Sequence, residues 1–169
     1  MINKEVTVKA KEFEGYVINN FKFLKDKYGM KKRKLRLINK NDNRDLAFSI
    51  RYESNDLRLD IGWNIYENNI GIIVKNLKYF DVCKGSFYFE PFIEYITQGK
   101  GITIVPQIYP GMSISKILRV IDKRNELFSN SIEEILISLA VKLNNNIPYL
   151  LSCDENSFQN FQSWYMKHQ

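Results

Sequence analysis

Two neighbouring stretches of the chain alternate apolar and polar residues with a period of two. Leu46, Phe48, Ile50 and Tyr52 oppose Asp45, Ser49, Arg51 and Glu53, and Leu57, Leu59, Ile61, Trp63 and Ile65 alternate with Arg58, Asp60 and Asn64. That period belongs to half-buried antiparallel strands, and Ser54-Asn55-Asp56 between them has turn chemistry. Glu67-Asn68-Asn69 forms the next turn, and Ile70 to Leu77 follows as a third strand. Lys34 to Ile38, ahead of the polar turn at 41–44, opens the meander, which gives four strands in chain order.

On either side of this block the period changes to 3.6. Phe13, Val17, Phe21, Leu24 and Tyr28 recur at spacings of three and four, which predicts a helix from about Lys11 to Tyr28, stopped by Gly29. In the last third, Ile114, Ile117, Leu118, Ile121 and Phe128 share one helical face, and Ile132, Ile135, Leu136, Leu139, Ala140 and Leu143 share the next. Ser131 with Glu134 three residues later is a capping box. The Asn144-Asn145-Asn146 run and Pro148 close that helix, and a last short helix starts near Asp154 and turns Phe158, Phe161 and Tyr165 inward.

The stretch from Tyr79 to Pro110 has no clean period. Phe87 to Pro91 reads as the end of a strand or the start of a helix, Phe92 to Thr97 as helical and Ile102 to Ile108 as extended. The whole pattern predicts an α+β fold as a single domain over residues 1–169. It has an N-terminal helix, an antiparallel meander of about four or more strands, and C-terminal helices packed on one sheet face.

Composition supports an ordered domain with an aromatic-rich interior: 169 residues, 44% hydrophobic, 14% aromatic and 26% charged. The two cysteines, Cys83 and Cys153, lack CxxC spacing, and the opening Met1-Ile2-Asn3-Lys4-Glu5 lacks a leader's apolar run. The expectation is a cytoplasmic protein. The longest apolar run, near Ile135 to Val141, is far short of a membrane span, so no membrane is expected among its partners. The net charge of +6 is compatible with an acidic protein partner or with nucleic acid.

The only histidine, His168, lies one residue from the C-terminus, which removes the usual base for a serine or cysteine nucleophile and the usual ligands for zinc. Ser113-Ile114-Ser115-Lys116 matches S-x-x-K without its companion motifs, and Ser113 is a natural helix N-cap. Glu90 with Glu94, or Glu133 with Glu134, are the remaining acid/base pairs; glutamates at a helix start are accounted for by the helix dipole. Asn39, Asn41 and Asn43 alternate as in a calcium loop, but Arg44 replaces the required glycine and Ile50 the terminal glutamate. No phosphate-cradling or dinucleotide motif is present. The expectation is therefore no enzyme, with no catalytic, cofactor-binding or metal residues.

The densest cationic run is Lys31, Lys32, Arg33, Lys34 and Arg36, where the first helix hands over to the sheet. Clustered cations of this kind meet phosphates or carboxylates, or keep a strand edge soluble. Lys84-Gly85-Ser86-Phe87-Tyr88-Phe89 approximates the aromatic signature of RNA-recognition sheets, although Ser86 stands where an aromatic is needed. Lys31, Lys32, Arg33, Lys34, Arg36 and Tyr88 are the residues assigned to partner binding.

Phe21-Lys22-Phe23-Leu24 with Tyr28-Gly29, the strands Ser49 to Glu53 and Leu57 to Ile61, and Leu139-Ala140 through Leu150 to Asp154 with Phe158 and Phe161 form a wider pattern. It resembles small bacterial α+β proteins that include immunity proteins of polymorphic toxin and contact-dependent growth inhibition systems. The resemblance covers roughly residues 13–65 and 131–165 and implies a cytoplasmic protein that binds and neutralises one cognate toxin domain without catalysis. Immunity proteins against nucleases are commonly acidic, whereas this chain is basic, so the expected toxin carries an acidic contact surface. The alternative is a basic accessory protein that binds nucleic acid through Lys31 to Arg36.

Overall fold

The computed structural model describes residues 4–39, 46–79, 86–99, 104–108, 111–129 and 131–168. The chain opens with α1 (Lys4–Asn20) and α2 (Lys22–Asp26), continues through β1 (Lys31–Lys32), β2 (Arg36–Asn39), β3 (Leu46–Glu53), β4 (Leu57–Asn64) and β5 (Asn69–Asn76), and reaches β6 (Phe87–Tyr88). Four helices follow: α3 (Phe89–Ile96), α4 (Ile114–Ser129), α5 (Ile132–Ser152) and α6 (Glu155–His168). The class is α+β, with an N-terminal helix, an antiparallel sheet and C-terminal helices.

Six strands form the sheet. β3, β4, β5 and β6 lie in that order, and β1 and β2 share the free side of β3, with Lys31 opposite Glu53 and Arg36 opposite Ser49. The alternation read from β3 and β4 sets which residues face inward: Phe48, Ile50, Tyr52, Leu57, Leu59, Ile61 and Trp63 are all buried. Ile70, Ile72 and Val74 extend the same inner face across β5. The turn between β3 and β4 forms as its residues dictate, with Ser54 N–H donating to the Leu57 carbonyl and Leu57 N–H donating to Ser54 Oγ.

Helices α1, α2, α3, α5 and α6 pack on that inner face. Phe13, Val17, Phe21 and Leu24 enter the core from α1 and α2, although the expected single helix begins earlier, at Lys4, and is broken at Phe21. Gly29, at φ +63°, closes the end of α2 in an αL cap: its N–H donates to the Lys25 carbonyl, and Met30 N–H donates to that of Leu24. Phe92 of α3 with Phe158 and Phe161 of α6 surrounds Phe87 of β6, with ring centroids 4.7–6.2 Å apart. The aromatic stretch that had two readings is therefore both, a two-residue strand followed directly by a helix.

Three expectations are corrected. The helix over the asparagine run does not stop at Pro148 but continues to Ser152, because Leu143, Ile147 and Leu150 extend its buried stripe at helical spacing. Ile104 to Ile108, expected to be extended, bends at Ile104 and Val105 and pairs with no strand; the other two residues of that stretch, and the turn at 41–44, lie outside the described residues. The apolar face of α4 is divided: Phe128 packs against the core, whereas the residues toward the helix start do not. Ile114 is 77% exposed and Leu118 55%, Ile121 is also exposed, and Arg124 is the helix's one buried side chain. No helix among the described residues is long and apolar enough to cross a membrane.

Candidate functional site

On the second face of the sheet, Gln107 and α4 close the side of β5 and β6, no described helix lies over the rest, and the composition there is unusual. Three cross-strand rows run side by side: Ile38–Ala47–Asn64–Asn69, Arg36–Ser49–Gly62–Gly71, and Arg51–Asp60–Ile73–Tyr88. Beyond Arg36 the middle row carries only a serine and two glycines, so the sheet surface sinks there into an open depression of about 280 Å³. Ile38, Ile73 and Tyr88 form its apolar walls, and Asp60, Asn64 and Asn69 supply polar groups at its margin. Gly62 is not required by crowding, since a Cβ there would meet only the Phe48 carbonyl oxygen at 3.5 Å. Gly71 would place a Cβ 3.5 Å from two Tyr88 ring carbons, so the tyrosine ring lies against the glycine and roofs the exposed backbone. Burial pushes the Tyr88 hydroxyl pKa above its ordinary value, which keeps it a neutral hydrogen-bonding group.

From Tyr88 the surface passes into a second hollow lined by Tyr66, Glu67, Gln107, Ile108, Ile121 and Arg124. Here α4 is fastened to the sheet by polar contacts. Arg124 Nε donates to the Pro106 carbonyl at 2.7 Å, Gln107 exchanges hydrogen bonds with Asn69 at 3.2 Å, and Asn68 donates to Asn125 at 3.1 Å. These contacts hold the helix beside the depression with Ile114, Leu118 and Ile121 turned to solvent. Apolar residues occupy a broad face of α4, of which the described residues leave Ile114, Leu118 and Ile121 exposed.

The charges of the open face largely compensate one another. Arg51 grips Asp60 with two hydrogen bonds, at 2.7 and 3.1 Å, and this pairing raises the arginine's pKa further. Glu53 accepts from Arg33 and Arg58, which together hold its carboxyl below the ordinary range.

The six residues assigned to partner binding do not form one site. Lys31, Lys32 and Arg33 line a separate hollow of about 800 Å³ between α2 and β1, together with Lys22, Lys25 and Asp26. Lys34 is exposed between β1 and β2. Arg36 ends the middle row of the open face beside Ser49, and Tyr88 stands across the sheet on β6, so these two flank the depression from opposite sides. Three strands separate Tyr88 on β6 from the edge that carries the lysines. The RNA-like aromatic signature fails for a related reason: Phe87 and Phe89 are buried in the core and only Tyr88 reaches the open face.

Sequence reading missed the open face, and found the α4 stripe without its exposure. The signal of the open face was the small residues Ala47, Ser49, Gly62 and Gly71 at outward positions of successive strands, where solvated strands ordinarily carry longer polar side chains.

The candidate chemical groups serve the fold. Ser113 Oγ accepts from Lys116 N–H at the start of α4, as an N-cap does. Glu90, 4% exposed, accepts from the backbone N–H groups of Ile104 and Val105 and lies 3.6 Å from Lys142, while Glu94 is exposed. Glu133 and Glu134 are exposed in the first turn of α5. Burial and Asp154 raise the pKa of Cys153, opposite to the shift that activates a thiol. Among the described residues no His, Cys, Asp and Glu side chains group as metal ligands. No known protein family, curated protein or solved structure matches this chain.

Proposed function

We propose that this protein is a non-catalytic binding protein that neutralises a cognate protein domain, a toxin domain in the sense implied by the sequence resemblance. The domain docks on the open sheet face and the adjoining stripe of α4. The observation that carries this reading is the continuity of the two. A depression floored by Ser49, Gly62 and Gly71 leads past Tyr88 to Ile121, Leu118 and Ile114, so apolar groups remain solvent-facing beside a rim of asparagines and paired charges. An exposed apolar patch with a polar rim is the usual anatomy of a protein-binding surface. The floor of small residues admits a protruding side chain of the partner, and the apolar stripe supplies area around it. Nucleic acid fits this face less well, because Arg51 is paired with Asp60 and Arg58 with the Glu53 carboxylate that it shares with Arg33.

The reading is tested by pull-down from the native host with tagged protein at about 0.1 M and about 0.5 M salt, beside the variants Gly62→Leu and Leu118→Asp. The expected result is one stoichiometric protein retained at both salts and lost from both variants. Recovery of nucleic acid alone, released at the higher salt, overturns it, as does a protein partner indifferent to both substitutions.

A further inference from the structure

The hollow between α2 and β1 lies apart from the open face and has a different chemistry. Its lining sets five cations, Lys22, Lys25, Lys31, Lys32 and Arg33, around an apolar floor formed by Ile18, Met30 and Tyr52. Three of the cations already have carboxylate partners: Lys22 with Asp26 at 3.6 Å, Lys32 with Glu14 at 2.9 Å and Arg33 with Glu53 at 3.2 Å. Lys25 and Lys31 are exposed and make no such pair among the described residues. The αL cap at Gly29 fixes the geometry, because it turns the chain so that the end of α2 and the start of β1 face each other across the hollow.

We propose that this hollow is a second binding site, for an extended acidic peptide segment that carries apolar residues between its carboxylates. Lys25 and Lys31 take the carboxylates, and the floor around Ile18 takes an apolar side chain between them. Charge complementarity identifies the acidic component, and the floor identifies the apolar one. Single-stranded nucleic acid is the weaker fit, because it binds by stacking bases on exposed rings and the one aromatic in the lining, Tyr52, is only 2% exposed. The site does not depend on docking at the open face, and the two are separated by substitution.

The test is fluorescence anisotropy of the full chain with three labelled probes of equal charge: a peptide alternating acidic residues with Leu and Phe, an all-glutamate peptide, and an oligothymidylate. The alternating peptide is expected to bind saturably at near-physiological salt, about tenfold or more tighter than either of the other probes. The double variant K25E and K31E is expected to weaken that binding by about tenfold or more, and Leu118→Asp on α4 to leave it unchanged. Absence of saturable binding, equal binding of the all-glutamate peptide or the oligonucleotide, or indifference to the double variant would overturn the proposal. Loss of binding in Leu118→Asp would also overturn it, by merging the two sites.

Discussion

Glu90 on α3 and Lys142 on α5 meet at 3.6 Å inside the protein, and the same carboxylate accepts hydrogen bonds from the backbone N–H groups of Ile104 and Val105. One buried side chain thereby joins two helices and pins the irregular segment that carries Pro106 and Gln107, the groups that in turn hold Arg124. Removing the carboxylate leaves the backbone N–H groups of Ile104 and Val105 without their acceptor in the interior, so Glu90→Ala is expected to cost about 3 kcal/mol in urea unfolding. Glu90→Gln keeps an acceptor for the backbone donors and should cost less.

The same carboxyl gives a pH dependence of defined sign. Burial raises its pKa above 4.5 in spite of the backbone N–H groups and Lys142, which pull the other way. Between that raised value and 4.5 the native state holds a proton that the unfolded chain releases, so native stability increases as pH falls through the window. The stability of the native sequence relative to Glu90→Gln, followed by urea titration from about pH 7 to about pH 4.5, should therefore rise toward the acid end. A difference that falls instead would mean that the ion pair outweighs the burial.

Two glycines with opposite roles give a paired prediction. Gly29 has a positive φ of 63°, which an L side chain enters only with strain, so Gly29→Ala is expected to lower stability by about 1–2 kcal/mol. It should also disturb the basic hollow. Gly62 has no positive φ and only an ordinary contact awaiting a Cβ, so Gly62→Ala should leave chemical denaturation within about 0.5 kcal/mol of the native sequence. Larger side chains at 62 fill the depression while the strand remains paired, which is why Gly62→Leu tests binding rather than folding.

Pro148 lies inside α5, where its ring removes the N–H that would bond the carbonyl four residues back, at Asn144. Asn144 Oδ1 is itself buried without a hydrogen-bond partner among the described residues. Pro148 is exposed, so its replacement loses little packing. Pro148→Ala is expected to stabilise the protein by about 1 kcal/mol or more, read as a higher urea midpoint with unchanged slope.

That proline also marks where sequence reading stops. The strands of the meander were legible because each buries one face, so the period of two is forced by Phe48–Ile50–Tyr52 and Leu57–Leu59–Ile61–Trp63. β1 was read only as a run of cations, because a two-residue edge strand leaves no periodic trace. The helix through Asn144 to Pro148 was hidden because local propensity opposes it, and burial of Leu143, Ile147 and Leu150 overrides that propensity. The α4 face misled in the opposite sense: periodicity shows that a face is apolar, and says nothing of whether the chain itself covers it.

Along α4 the division between folding and binding can be drawn residue by residue. Arg124, 3% exposed, donates at 2.7 Å to the Pro106 carbonyl and also reaches Gln107, so Arg124→Ala strands buried acceptors where the helix is attached. The expected cost is about 2 kcal/mol, with earlier hydrogen exchange in α4 than in the strands, because the helix loses its buried polar anchor while Leu127, Phe128 and the inner core stay in place. Leu118 is more than half exposed and lies on the free side of the same helix. Leu118→Asp should leave stability within about 0.5 kcal/mol, raise solubility and reduce binding of apolar dyes, while abolishing capture of the protein partner. If Leu118→Asp instead destabilises the domain as much as Arg124→Ala does, the stripe is part of the core and the binding surface must lie elsewhere.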